Sequence, residues 1–96
     1  MLHRLEWKKQ ARHDLIKIVE YIAEDNPDAA DKLADDIEGK AQGLRERPEL
    51  YRAGRKRGTR EMVVHPNYIV IYRVRKESVE ILRVKHTAQQ WPRTKN

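Results

Sequence analysis

The chain has 96 residues, 39% of them apolar, with 21 Lys and Arg against 15 Asp and Glu, a net charge of +6. That length supports one small domain spanning residues 1–96 and leaves no room for a second core. The absence of cysteine excludes disulfides, thiolate metal sites and cysteine nucleophiles.

The chain opens on a strand candidate, Leu2–Trp7. Helical spacing follows: Ala11, Leu15, Ile18 and Ile22 form an apolar stripe, and Lys9, Arg12, Lys17 and Glu20 fall between them. The pattern predicts an amphipathic helix from about Lys8 to Glu24. Asn26-Pro27-Asp28 restarts the helix, with Asn26 suited to capping, Pro27 to the first helical position and Asp28 to the positive end of the helix dipole. The second stripe is Ala30, Leu33, Ala34, Ile37, Ala41 and Leu44, and Pro48 ends the pattern near Arg47. So short a connection predicts an antiparallel helical hairpin. Gly39 and Gly43 interrupt the second helix, and serve either close packing on the first helix or a groove for a partner helix.

Residues Pro48–Thr59 read as a loop rich in Arg, Lys and Gly. The period then changes to two. Arg60–His65, Tyr68–Val74 and Val79–Lys85 read as strands joined by short turns at Pro66-Asn67 and Arg75–Ser78, an antiparallel meander. The predicted fold is α+β, in the order β-α-α-β-β-β, with the helical hairpin on one face of a twisted antiparallel sheet. Alternation puts Tyr68, Val70, Tyr72 and Val74 with Leu82 and Val84 against the helices. It puts Ile69, Ile71 and Arg73 with Ile81, Arg83 and Lys85 on the other face, joined by Arg60. An open basic face with Ile69 and Ile71 as its floor is the expected place for a partner.

Charge is segregated along the chain. Residues 1–50 hold 9 basic and 12 acidic residues, whereas residues 51–96 hold 12 basic and 3 acidic. A positive half attracts nucleic acid or an acidic protein. The longest apolar run, Tyr68–Tyr72, is too short to span a bilayer, and the start lacks the apolar segment of a signal peptide, so a cytoplasmic protein without membrane contact is expected. His3, His13, His65 and His86 show no metal-ligand spacing, and neither a metal nor another cofactor is expected. Ser78 is the only serine and sits in a charged turn, which argues against a serine triad.

A metal-free ribonuclease is the enzyme chemistry these residues could support. His86 would move the proton, and Arg60, Arg73 and Arg83 would hold the phosphate. Trp91 or Tyr51 could stack on a base. The structural alternative for His86 is a strand-end hydrogen bond to the backbone. For Arg73 and Arg83 it is a salt bridge to a carboxylate. His65, beside a Pro turn, reads as structural.

Several segments together resemble the RelE/ParE superfamily of bacterial type II toxins. They are Ala11-Arg12-His13-Asp14-Leu15, Tyr21-Ile22-Ala23, Asn26–Ala30, Gly54–Val64, Pro66–Val74 and Val79–His86. The resemblance implies a growth-inhibiting toxin neutralised by an acidic antitoxin. RelE-like members are ribosome-dependent endoribonucleases that cut mRNA. ParE-like members poison DNA gyrase and have no known catalytic chemistry. The ribonuclease branch typically carries basic residues where this chain has Met62 and Ile69. The ending Ile81–His86 is similar to the ParE pattern. These marks favour the ParE-like branch, with the enzyme class left open between the two. A non-toxic basic nucleic-acid-binding module ranks last, because the acidic run from Asp28 to Glu38 would repel DNA. Antitoxin contacts are expected on the helical hairpin or at Ile69, Ile71, Arg73 and Arg83. Target contacts are expected at Arg55, Lys56, Arg57, Arg60, Lys85 and Trp91.

Overall fold

The computed structural model describes residues 2–88, and places in order β1 (Arg4–Trp7), α1 (Lys9–Ala23), α2 (Pro27–Gly43), β2 (Arg52–Ala53), β3 (Arg60–His65), β4 (Tyr68–Val74) and β5 (Ser78–His86). The α2 start is as its sequence dictates. Pro27 opens the helix, and Asn26 Oδ1 accepts a hydrogen bond from Ala29 N at 3.1 Å, satisfying a donor the helix cannot. The helix stops at Gly43, short of Arg47, where Glu46 N and Arg47 N both turn back onto Gly43 O.

The sheet is mixed, in the order β1-β5-β4-β3-β2. β3, β4 and β5 form the predicted meander. β1 pairs with β5 in parallel, from Arg4↔Ser78 to Trp7↔Ile81, so the sheet is not wholly antiparallel. The hairpin α1–α2 then carries the chain to the far edge. There the two-residue β2, inside the expected loop, pairs with the start of β3.

The core lies between the helices and one sheet face. Ala11, Leu33, Ile37, Ala41 and Leu44 meet Met62, Val64, Tyr68, Val70, Tyr72, Val79, Ile81 and Val84. Tyr72 is fully buried. Its hydroxyl donates to Pro48 O at 2.7 Å, and burial pushes its pKa up to about 12, against the lowering effect of Arg60.

Two bulges correct the expected alternation. Tyr72 pairs with Ile81 and Ile71 with Arg83, so Leu82 is an extra residue in β5. Ile81 therefore joins Val84 in the core, while Leu82 falls outside it. A similar shift at Val64 in β3 keeps Val64 in the core between Met62 and the turn. Arg60 pairs with Tyr72, which places it on the helix side of the sheet and not on the outer face.

Candidate functional site

The three arginines that a ribonuclease would need are each held elsewhere. Arg60 Nη1 donates to Tyr51 O at 2.7 Å and to Glu49 O at 3.4 Å. Arg73 lies on the outer face and grips Glu80 Oε1, through Nε at 2.9 Å and Nη2 at 2.6 Å. Arg83 reaches α1, where Nε and Nη2 meet the two oxygens of Asp14 at 2.7 and 2.9 Å. That hydrogen bond, against the opposing cost of burial, raises the Arg83 pKa further. The same Asp14 accepts from Val84 N at 3.0 Å, which satisfies the edge of β5 where β1 no longer covers it. The expected shared basic face is thus three separate contacts.

The outer face is neither open at its floor nor uniformly basic. Ile69 and Ile71 are 1% and 0% exposed, which corrects the expectation of an accessible apolar floor. Two buried carboxylates accompany them. Glu80 takes Arg73, Lys8 and Arg75. Its hydrogen bond from Arg73 outweighs burial and holds its pKa below the ordinary value. Glu61, with its side chain 1% exposed, pairs across the ladder with Ile71 and Arg52. Burial pushes its pKa up, yet Arg55 N at 2.9 Å, the Arg55 guanidinium and Arg52 together leave it lowered.

Glu61 also shapes the basic loop. Arg55 is tied back to it, and the loop closes through Gly54 N to Thr59 O at 2.7 Å and Thr59 N to Lys56 O at 3.1 Å. Gly58 takes φ +82°, and a Cβ at Gly54 would collide with Thr59 Oγ1. Lys56 and Arg57 are exposed at the tip. Of the expected target contacts, Arg55, Lys56 and Arg57 share this turn. Arg60 sits behind it, Lys85 lies at the other end of the sheet against Ile69, and Trp91 is outside the described residues.

A cleft of about 790 Å³ opens between α1, the β3–β4 turn and the end of β5. It gathers His13, His65 and His86 with Lys17, Lys85, Tyr21, Tyr68 and the Asp14–Arg83 pair. The rings of His65 and His86 flank Tyr68 at centroid distances of 5.7 and 5.3 Å. Each histidine accepts a backbone N–H on Nδ1, His65 from Asn67 at 3.1 Å and His86 from Ala88 at 3.0 Å. Both thus make the local contact expected of a structural histidine, and both also line this cleft. Sequence reading singled out His86 and missed Asp14, His13, Lys17 and Tyr21. The available signal was Asp14 itself, a carboxylate inside the apolar stripe between Ala11 and Leu15. Among the described residues, no group of three or more His, Asp or Glu is arranged to hold a metal ion.

On the helical hairpin, a second groove of about 240 Å³ is lined by Trp7, Arg12, Leu15, Ile16 and Glu38. Ile16 is 54% exposed. At Gly39 and Gly43 an added Cβ would meet nothing within 4 Å, so neither glycine is required for the packing of α2 on α1.

Residues 5–91 match the family model described as the ParE toxin of the type II toxin–antitoxin system parDE. The chain belongs to the ParE toxin family. This ParE-family toxin is 41% identical over 90 residues to Y4kP of Sinorhizobium fredii, with 93% of each chain covered. It is 36% identical over 83 residues to toxin RelE2 of Caulobacter vibrioides, covering 86% of this chain and 93% of that one. In fold it resembles the chromosomal ParDE system of P. aeruginosa at a TM-score of 0.79 and 21% identity, covering 88% of this chain and 96% of that one. It also resembles the RelBE2 toxin–antitoxin complex of Mycobacterium tuberculosis, at 0.66 and 25%, covering 93% and 95%. The ParE-family chain is a toxin of a type II toxin–antitoxin system, which sets aside the non-toxic module. Among the described residues, no helix is long and apolar enough to cross a membrane.

Proposed function

We infer that this toxin poisons DNA gyrase and is neutralised by an acidic antitoxin. The observation that carries the gyrase reading is the commitment of Arg60, Arg73 and Arg83 to carbonyls, Glu80 and Asp14. A ribonuclease needs cations poised over an in-line phosphate. Met62 and Ile69, where the ribonuclease branch carries basic residues, are buried. A gyrase poison needs contact surface alone, and the ordered turn bearing Lys56 and Arg57 supplies one.

The antitoxin is carried over from the relatives solved as toxin–antitoxin complexes. Its seat here is the helical hairpin, since Ile69 and Ile71 are buried. Exposed Ile16 beside Leu15, Trp7 and Arg12 suits an amphipathic helix with acidic flanks.

A second reading has one observation in its favour. Three histidines and two lysines line the α1 cleft, a proton-transfer group set that a ribosome-dependent endoribonuclease could use. Inducing the toxin in a bacterium tests both. Early DNA breaks with an SOS response support gyrase. Early cleavage of mRNA within translated frames supports the ribosome.

A further inference from the structure

We propose that the outer face of α1 binds a second copy of this chain, the two helices running antiparallel about a twofold axis at Ile16. The face is one stripe. Lys9, Arg12, Ile16 and Glu20 follow at steps of three or four residues, so they project from the same side of the helix. All four are exposed, and Ile16 is 54% so. The charges on this stripe are the reverse of what a lone helix favours. A helix dipole favours acids at the N-terminal end and bases at the C-terminal end. α2 complies, with Asp28 in its first turn and Lys40 in its last. α1 has no acid in its first turn and no base in its last. Instead Lys9 and Arg12 open it, Glu20 lies in its last turn and Glu24 is its C-terminal cap. Among the described residues none of these four joins an ion pair, and Arg12 uses only Nε, on Trp7 O at 3.3 Å.

A second α1 laid antiparallel answers both ends at once. Under a twofold axis at Ile16, residues before Ile16 face residues after it in the other copy. Lys9 and Arg12 then meet Glu20 and Glu24 of the second copy, and the same contacts recur at the other end. The two opposed dipoles offset each other as well. At the centre, Ile16 of each copy enters the groove of about 520 Å³ that Lys9, Gln10, Arg12 and His13 line beside Ile16 of the other. An acidic helix in this place would answer Lys9 and Arg12 and leave Glu20 and Glu24 unanswered. One helix face per copy buries less than the roughly 1,200 Å² of a standard interface, so the dimer is reversible and weakened by salt. The antitoxin seat proposed above shares Ile16, so antitoxin binding would convert the dimer to monomer. That consequence alone rests on the antitoxin seat.

Sedimentation equilibrium of the full toxin at low salt, from micromolar to millimolar concentration, tests this with two charge-reversed variants. Lys9→Glu/Arg12→Glu makes the stripe acidic throughout, and Glu20→Lys/Glu24→Lys makes it basic throughout. Both changes suit the helix dipole better than the parent residues do, so the fold is kept. The parent should pass from monomer to dimer as concentration rises. Each variant alone should self-associate at least about tenfold more weakly. Their equimolar mixture should pair again, as a heterodimer. Unfolded chains could not produce that recovery. The proposal is overturned if both variants dimerise like the parent, or if the mixture stays monomeric. It is also overturned if the parent is monomeric at every concentration yet binds its antitoxin, which would reserve the face for the antitoxin. A dimer that persists with antitoxin bound supports the self-pairing and moves the antitoxin seat elsewhere.

Discussion

Arg83 and Asp14, 69 residues apart in sequence, are joined by two parallel hydrogen bonds of 2.7 and 2.9 Å that tie β5 to α1. The side chains are 27% and 14% exposed, so the pair is largely shielded from water. Removing one partner leaves the other charge uncompensated in that setting. Arg83→Ala should therefore cost about 2 kcal/mol of stability, read from urea unfolding of the toxin. Asp14→Asn should cost a similar amount, and the double variant Asp14→Asn/Arg83→Ala less than the sum. Additive losses would mean that the two side chains do not act on each other.

Glu61 makes stability sensitive to acid. Its folded pKa lies below the ordinary value of 4.5, as does that of Glu80. A depressed folded pKa contributes stability that is complete above 4.5 and is lost as pH falls through the folded value. The melting temperature should thus fall on acidification below 4.5. Glu61→Gln should lower it at neutral pH and flatten that acid limb. A parallel limb in the variant would remove Glu61 as a cause.

Gly39 and Gly43 lie in α2 with open space where a Cβ would stand. Glycine in a helix interior costs about 1 kcal/mol against alanine. Gly39→Ala should stabilise the free toxin by up to about that amount, and Gly43→Ala, at the last residue of the helix, by less, both seen as a higher melting temperature. A lower one would mean that the glycines are needed within the chain. If the stabilised variants no longer bind the antitoxin, the glycine face belongs to the docking surface.

His86→Ala separates the two modes of toxicity. General acid–base catalysis is worth about 10²–10⁴-fold in rate, so a ribonuclease would lose mRNA cleavage with its fold intact. A gyrase poison would lose only what the strand end contributes, the contacts with Ala88 and Tyr68 among it. Partial retention of growth inhibition is the expected result. Complete loss with unchanged stability would favour the enzyme.

The helical half of the fold was legible because its signals are local. Stripe spacing and the Asn26-Pro27 cap concern neighbours one or two turns apart. The middle strand was legible too, since Tyr68, Val70 and Tyr72 do face the helices. The parallel β1–β5 pair was not, because it joins chain ends with no turn between them to announce it. The Leu82 bulge was equally hidden, and that single inserted residue turns Ile81, expected outward, into the core. The candidate site was the least legible. Alternation put Arg83 on the side of Ile71, as found, but misplaced Arg60, which pairs with Tyr72, and the actual partners of the two, Asp14 and Tyr51 O, depend on register and on long-range pairing.

The most direct test of the account uses purified toxin in two parallel reactions, one with DNA gyrase and supercoiled plasmid, the other with ribosomes translating a defined mRNA. Trapped gyrase–DNA cleavage that the antitoxin suppresses is expected, with intact message in the ribosome reaction. Ribosome-dependent mRNA cleavage with unaffected gyrase would contradict it.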